Sequence, residues 1–392
     1  MVMTRFPYPT DKGDKLRAYY QVQELSKKFN VYLLSTVSSK VSKKDIAELK
    51  KYCQLVEVFS LSAFQVYFSL LRAVFSSLPF QSYYFFNKRL KKRLGNLIEE
   101  KNIELVYVQL IRSFLNIPFG YNCKYYLDYM DAFSLGMKKR AEHTKFPLKL
   151  IVKAEQKRLE YLERKVAYYF HGTSIITEQD AKVLEGFVPT EIDVVPNGID
   201  ERFSISEEPV NKDIDIVFVG NMGYFPNVLA CKYLGKEIVP VLQNEIAKLS
   251  TYLVGTDPAP QVKALQSKNI KVTGRVAEVQ PYLCRSKVFV APMYAGQGMQ
   301  NKILEAMSMG LPVLTTPLAA SAFKDLDSSG IIVCKKIEDF IIQIKILLND
   351  AELRKELGEK SISYVESYYR WNTATASLLD KFERLIESNH RV

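Results

Sequence analysis

The chain reads as two successive alternations of short apolar runs with helical patterns. MVMTRF opens as a short strand, and the turn-rich PYPTDKGDKLR follows, punctuated by Pro7, Pro9 and Gly13. A helical pattern runs from Asp14 to Phe29 with Leu16, Tyr20 and Leu25 on one side. Asp14 is its natural N-cap, and Arg17 projects from its first turn towards the strand's carboxyl end. Further strands are predicted at 30–38, near Leu55–Phe59, at 104–112 and 124–134, and in YYFHGTSIITEQD, with IDVVPNGID closing the half at 192–200. A long charged helix covers 146–166. This rhythm predicts a parallel, doubly wound sheet.

Composition turns polar and strandless over Ser204–Asp213, and a second alternation begins. Its six runs are 214–220, 251–255, 270–274, 287–292, 311–316 and 330–334, separated by helical patterns. They predict a second, smaller doubly wound domain over 201–371, after a first domain over 1–200. A helix from Asp350 to Tyr369 is interrupted at Trp371, and a last one follows with Ala376, Leu379 and Phe382 on its apolar side.

One stretch, 291–316, carries the candidate chemistry. A strand stops at Pro292, Gly296 and Gly298 permit a backbone that other residues follow poorly, and a helix is predicted from about Gln300 to Met309. Ile303, Leu304 and Met307 share one side of it, and Lys302 and Glu305 the other. A helix N-terminus after a strand suits an anionic ligand, and an ionised carboxylate suits a sugar diol. A merely solvated Lys–Glu pair fits the same residues. Beyond other strand ends lie Gln109, Arg112, Asp128 and Asp131, where open α/β sheets bind ligands. Asp131 equally fits a helix cap.

Composition narrows the class. At 392 residues with 47% apolar and 25% charged content, the chain is that of a globular protein of two domains. No run approaches the roughly 20 apolar residues of a membrane span, and no signal peptide is read, so a cytoplasmic location is expected. Five scattered cysteines and three histidines supply no metal-site spacing, so no metal is expected. The formal charge of +11 suggests an anionic partner. No nucleic-acid motif accompanies it. Residues 61–95 combine many Phe and Tyr with Lys88, Arg89, Lys91, Lys92 and Arg93. They read as an anionic membrane surface contact that would make the protein peripheral, or as a helical hairpin with solvated cations.

Taken in order, FPYPTDKGDKLR, VQLIRSF, LDYMDAFS, VPNGID, FVGNMGYFPN, VTGRV, GMQNKILEAMSMGLPVLTT and YYRW resemble the GT-B glycosyltransferases over nearly the whole chain. They are most similar to glycosyltransferase family 4, in a bacterial branch with a G-x-QNK-x-LEAM segment that is often encoded with exopolysaccharide genes. The resemblance implies two Rossmann-like domains facing a central cleft, with donor nucleotide sugar on the second and a glycan or lipid-linked acceptor on the first. The last helix, 372–392, would pack back on the first domain.

Carried over, Glu305 matches the glutamate on the donor ribose, and Gly298 and Met299 fall where backbone N–H groups meet sugar and phosphate. Lys302 matches a diphosphate-neutralising lysine, Arg275 falls near base and phosphate, and Gly13 lies in the loop approaching the donor phosphate. Gln297 stands where the broad family has a second glutamate. The family's usual Arg/Lys pair after the first strand of the second domain is replaced by Asn221-Met222-Gly223-Tyr224. The resemblance implies retaining, metal-independent transfer of hexosyl type with no cofactor besides the nucleotide-diphosphate sugar. Asp131 and Asp128 are then expected to hold the acceptor hydroxyl, with Arg112 orienting them. A catalytically silent GT-B sugar-nucleotide-binding scaffold is the alternative. A NAD-type oxidoreductase is disfavoured because neither half carries GxGxxG after its first strand. An epimerase is disfavoured by the scarcity of His.

Overall fold

The computed structural model describes residues 1–142, 144–186, 191–205, 210–246, 248–296 and 298–390. The chain divides into two compact units, Met1–Pro196 with Ala374–Val392, and Asn197–Thr373.

The first unit is built on seven parallel strands: β1 Val2–Met3, β2 Val31–Val37, β3 Cys53–Ser60, β4 Leu105–Gln109, β5 Lys124–Met130, β6 Gly172–Ile175 and β7 Ile192–Val194. Their order across the sheet is β3-β2-β1-β4-β5-β6-β7. The central strands are continuous apolar runs because helices cover both faces of a parallel sheet. Leu34, Val108 and Leu127 pack with Leu94, Ile98, Leu159 and Leu162 in one cluster. Met3, Leu33, Tyr107 and Tyr126 pack with Val22, Leu378 and Phe382 in another. The strand order reverses between β1 and β4, which opens a crevice at their carboxyl ends.

The second unit has six parallel strands: β8 Ile214–Val219, β9 Thr251–Val254, β10 Ile270–Gly274, β11 Ser286–Ala291, β12 Val313–Thr315 and β13 Ile331–Val333. Their order is β10-β9-β8-β11-β12-β13, so the reversal falls between β8 and β11. β8 is buried at all six positions. One core cluster serves this unit, including Phe218, Phe289, Ile303, Leu304, Met307 and Phe340.

Local chemistry moved some expected boundaries. The first long helix is Gly13–Leu25 with Lys12 at the N-cap, so Asp14 sits in the first turn and does not cap it. Asp14 is drawn away by Arg5, 2.7 Å, and Arg112, 3.1 Å. Thr177 caps Glu178–Glu185 by accepting from the Asp180 N–H. Residues 61–95 resolve into Ala63–Val74, Phe80–Tyr84 and the start of Lys88–Lys101.

Candidate functional site

In the second unit the reversal between β8 and β11 brings two turns together. β11 ends at Ala291, and Gly296 (φ 123°) and Gly298 (φ 65°) carry the chain through left-handed backbone into the helix Asn301–Ser308. Ile303, Leu304 and Met307 are fully buried, which fixes the rotation of that helix. Lys302 and Glu305 therefore project on the opposite side, where both are half-buried.

The Lys302 ammonium donates to Oδ1 of Asn227, in the first turn of the helix Phe225–Tyr233 that follows β8, lies 3.9 Å from Met293 Sδ and stands 5.1 Å from the centre of the Phe218 ring. Asn227 is itself aimed, because its Nδ2 donates to the Asn221 carbonyl at 2.8 Å. Gly220 is required beneath it, since a Cβ there would come within 2.8 Å of Asn227 Nδ2. Among the described residues Lys302 has no ion pair within 4 Å. Burial lowers its pKa to about 8, against the opposing fields of Glu305 and Cys231. Burial likewise raises Glu305 to about 7, although Arg202 and Lys302 pull it down. No hydrogen bond reaches the Glu305 carboxylate among the described residues.

Both groups are thus desolvated without a counter-charge in contact, an arrangement that costs stability unless something binds there. An anion beside Lys302 and a pair of hydroxyl donors beside Glu305 would satisfy both. Asn301 Oδ1, one position earlier on this helix, accepts from Asn197 Nδ2 at 3.1 Å, which anchors the helix start. Arg275 follows Gly274 at the end of β10 and is exposed, and Met299 is half-buried against the core. Gln297 lies outside the described residues.

In the first unit the reversal between β1 and β4 gathers a different set. Arg112 donates to Thr4 Oγ1 at 2.8 Å and to Asp14 Oδ2 at 3.1 Å, and lies over the Phe85 ring. Burial, then the neighbouring Arg5, lowers its pKa to about 10. Gln109 donates to the Asp14 carbonyl at 3.2 Å. Gly13, which opens the helix, is exposed.

The two aspartates after β4 part company. Asp128 is fully buried and saturated: it accepts from Arg17 Nε at 2.6 Å, the Tyr107 hydroxyl at 3.0 Å, and Ser174 Oγ and the Met130 N–H at 3.2 Å each. Arg17 reaches the Pro196 carbonyl as well. Arg17 thus points into the interior, and not to an open strand end as expected; Asp128 has no lone pair left for an incoming hydroxyl.

Asp131 is half-buried just past β5 and takes no hydrogen bond among the described residues. It does not cap the helix Phe133–Glu142, whose first backbone bond runs from Gly136 to the Ala132 carbonyl while Glu163 accepts from the Ser134 N–H. Burial, then the charge of Asp180, raises Asp131 to about 7.

Sequence reading missed Asn227, Arg202, Tyr107 and Asp14 as partners in these clusters. Asn227 lay in view inside FVGNMGYFPN, but its role depends on a turn that folds back over Gly220. Arg202 sits 103 positions before Glu305 and has no local signal.

Residues 213–350 match the family model described as Glycosyl transferases group 1. Solved structures match over both units. Sucrose-phosphate synthase from Thermosynechococcus elongatus gives a TM-score of 0.67 at 12% identity, covering 99% of this chain and 98% of that one. Anabaena Alr3699/HepE, solved in complex with UDP, gives 0.64 at 12% identity, with 98% and 99% covered. WaaG, a glycosyltransferase involved in lipopolysaccharide biosynthesis, gives 0.63 at 15% identity, with 96% and 98% covered. The fold is GT-B. No curated protein matches the sequence. In the GT-B frame the 213–350 match contains the β8 turn, Arg275 and the whole Lys302–Glu305 helix.

Proposed function

We propose that the protein is a retaining glycosyltransferase of family 4 type, moving a hexosyl group from a nucleotide-diphosphate sugar to a glycan or lipid-linked acceptor in cell-surface polysaccharide synthesis. The observation that carries this reading is the pair Lys302 and Glu305, each partly withdrawn from water and neither holding the other. A nucleoside diphosphate with its ribose supplies the two missing partners, an anion and a vicinal diol.

In this reading Lys302, Arg275 and the backbone N–H groups around Gly298 and Met299 take the charge that builds on the leaving diphosphate. The bond between the anomeric carbon and the phosphate oxygen breaks, and the acceptor oxygen bonds to the same face. The acceptor's proton passes to the departing phosphate oxygen. No protein nucleophile and no cofactor are called on, and charge neutralisation is assigned to the protein's own cations. Asp131, with an open carboxylate, holds and orients the acceptor hydroxyl, while Arg112 ties Thr4, just after β1, to Asp14 in the first turn of the helix that Gly13 opens. Asp128 braces the strands beneath.

The test is thermal shift against UDP, GDP and their sugar conjugates, followed by release of nucleoside diphosphate from the stabilising donor. Saturation at about 100 times Kd adds roughly 2.7 kcal/mol of stability. Lys302→Ala and Glu305→Ala should each cut turnover at least tenfold, about 1.4 kcal/mol of barrier. Wild-type turnover in both variants would remove the assignment.

A further inference from the structure

The helix Ala63–Val74 is amphipathic in reverse. The residues it turns to the protein include the small Ser69 and Ala73, both buried. The residues it turns to solvent are Phe64, Tyr67, Phe68, Leu71, Val74 and, just past its end, Phe75. Their spacing of three and four along the helix makes one continuous stripe. Phe64 is 75% exposed and Phe75 93%, so these rings are spread on the surface and not folded into a core. Exposed apolar groups clustered this way on a water-soluble domain mark a docking surface.

The stripe continues onto a second helix. Arg158 of Leu148–Val166 donates to the carbonyl of Ala73 at 2.8 Å and lies over the Phe80 ring. Glu155 accepts from the N–H groups of Phe80 and Gln81 at 2.8 and 3.2 Å. Leu148, Ile151, Glu155 and Arg158 follow heptad spacing on one side of that helix. At and before the start of that helix Phe146, Leu148 and Ile151 are exposed as well.

Charge identifies the occupant. Residues 61–95 and 132–158 together hold fourteen Lys and Arg against two Glu, which accounts for the whole of the chain's +11. One of the two glutamates, Glu155, is buried in the bonds just described. The cations first suspected, at 88–93, are partly committed: Arg93 pairs with Glu57 at 3.0 Å and with Glu100 at 2.8 Å. Those along 138–157 are not. Among the described residues Lys138, Arg140, Lys145, Lys149, Lys153 and Lys157 make no ion pair within 4 Å.

We propose that this face, the outer stripe of 64–75 with the lysine-rich residues 138–157, docks on the surface of an anionic lipid bilayer. Aromatic and aliphatic side chains enter the headgroup boundary while the lysines of 138–157, on long flexible stems, reach the lipid phosphates. A second copy of this chain fits poorly, because two such faces would bring their excess positive charge together. No described helix is long and apolar enough to cross a membrane, so the contact lies in the interface plane. The surface belongs to the first unit and Lys302 and Glu305 to the second, and its test does not depend on the nucleotide reading.

The test is sedimentation of the full chain with phosphatidylcholine vesicles, with and without phosphatidylglycerol, at low and high salt. Binding is expected only with phosphatidylglycerol, falling as salt rises. Lys145→Gln, Lys149→Gln and Lys153→Gln should each weaken it about fivefold. A combined Phe64→Ser, Leu71→Ser and Phe75→Ser variant should lose it at least tenfold with no fall in melting temperature. Phe75→Trp should show a blue-shifted emission on vesicles. Equal binding to neutral vesicles, unchanged binding of the serine variant, or an unshifted Phe75→Trp spectrum would overturn the proposal. So would vesicle-free dimerisation abolished by the same serines, which would assign the face to a second copy.

Discussion

Lys302 and Glu305 stand one turn apart on the same helix face, yet the ammonium is bonded to the Asn227 amide and not to the carboxylate. Asn227, fixed through its own donor to Asn221, holds the lysine towards the β8 turn. The pair is therefore kept open, with both charges partly desolvated and the space for a ligand's groups unspent.

Openness has a stability cost that can be measured. Glu305 moves from an ordinary value of 4.5 to about 7 in the fold. A raised carboxyl pKa means that the fold favours the protonated form. The favourable contribution is complete below pH 4.5 and is lost as pH rises through 7. Glu305→Gln should thus be more stable than wild type in the absence of ligand, by roughly 1–3 kcal/mol after allowance for partial exposure. The gap should widen between pH 4.5 and 7 and then level off. Denaturant melts at pH 4, 6 and 8 check it, and a variant less stable than wild type at pH 8 would contradict the geometry.

The same two groups set a pH window for nucleotide. Lys302 carries its charge below about pH 8, and Glu305 is ionised above about pH 7. Affinity for UDP or whichever diphosphate stabilises the protein should peak between these values. It should fall on the acid side as the diol acceptor protonates and on the alkaline side as the ammonium neutralises. In Glu305→Gln the acid limb should vanish while the alkaline limb stays. Calorimetric titration from pH 5.5 to 9.5 reads both limbs, and a flat profile in the wild type would refute the assignment.

How far the sequence carried depended on whether the signal was local. The two alternations of apolar runs gave both sheets, because a strand covered on both faces must be apolar along its length, as Ile214–Val219 is. Ile303, Leu304 and Met307 set the rotation of the key helix, so the side bearing Lys302 and Glu305 was legible too. Contacts across long sequence separation were not. Nothing near Asp128 indicated that Arg17, 111 positions away, would fill it, nor that Asp131, three residues on, would stay open. Exposure was equally illegible over 61–75, since an aromatic run reads the same whether it faces a core or a membrane.

The buried pair makes a prediction of opposite sign. Arg17 and Asp128 are both withdrawn from solvent, at 2.6 Å, with Tyr107 and Ser174 completing the carboxylate's bonds. Removing one charge strands the other. Asp128→Asn should destabilise the protein by about 3–5 kcal/mol, and adding Arg17→Met should return a large part of that loss. Chemical denaturation of the two variants gives the comparison. If the double variant were no better than the single, the cost would lie in packing and not in the orphaned guanidinium.

Asp131 should separate from Asp128 in every measurement. Its carboxyl rises from 3.8 to about 7 through burial and the nearby Asp180, and no donor among the described residues relieves it. Its ionisation therefore costs stability as pH rises from 3.8 through 7, the same sign as for Glu305. Asp131→Asn should accordingly leave the fold as stable as wild type or more so at pH 8, while Asp128→Asn loses several kcal/mol. If Asp131 holds the acceptor hydroxyl, Asp131→Asn should raise the acceptor KM or lower kcat at least tenfold and leave diphosphate affinity untouched. It should also remove an acid limb near pH 7 from the rate profile. Donor affinity that falls in step with turnover would mean that Asp131 acts on the donor, and the division of roles between the two units would have to be redrawn.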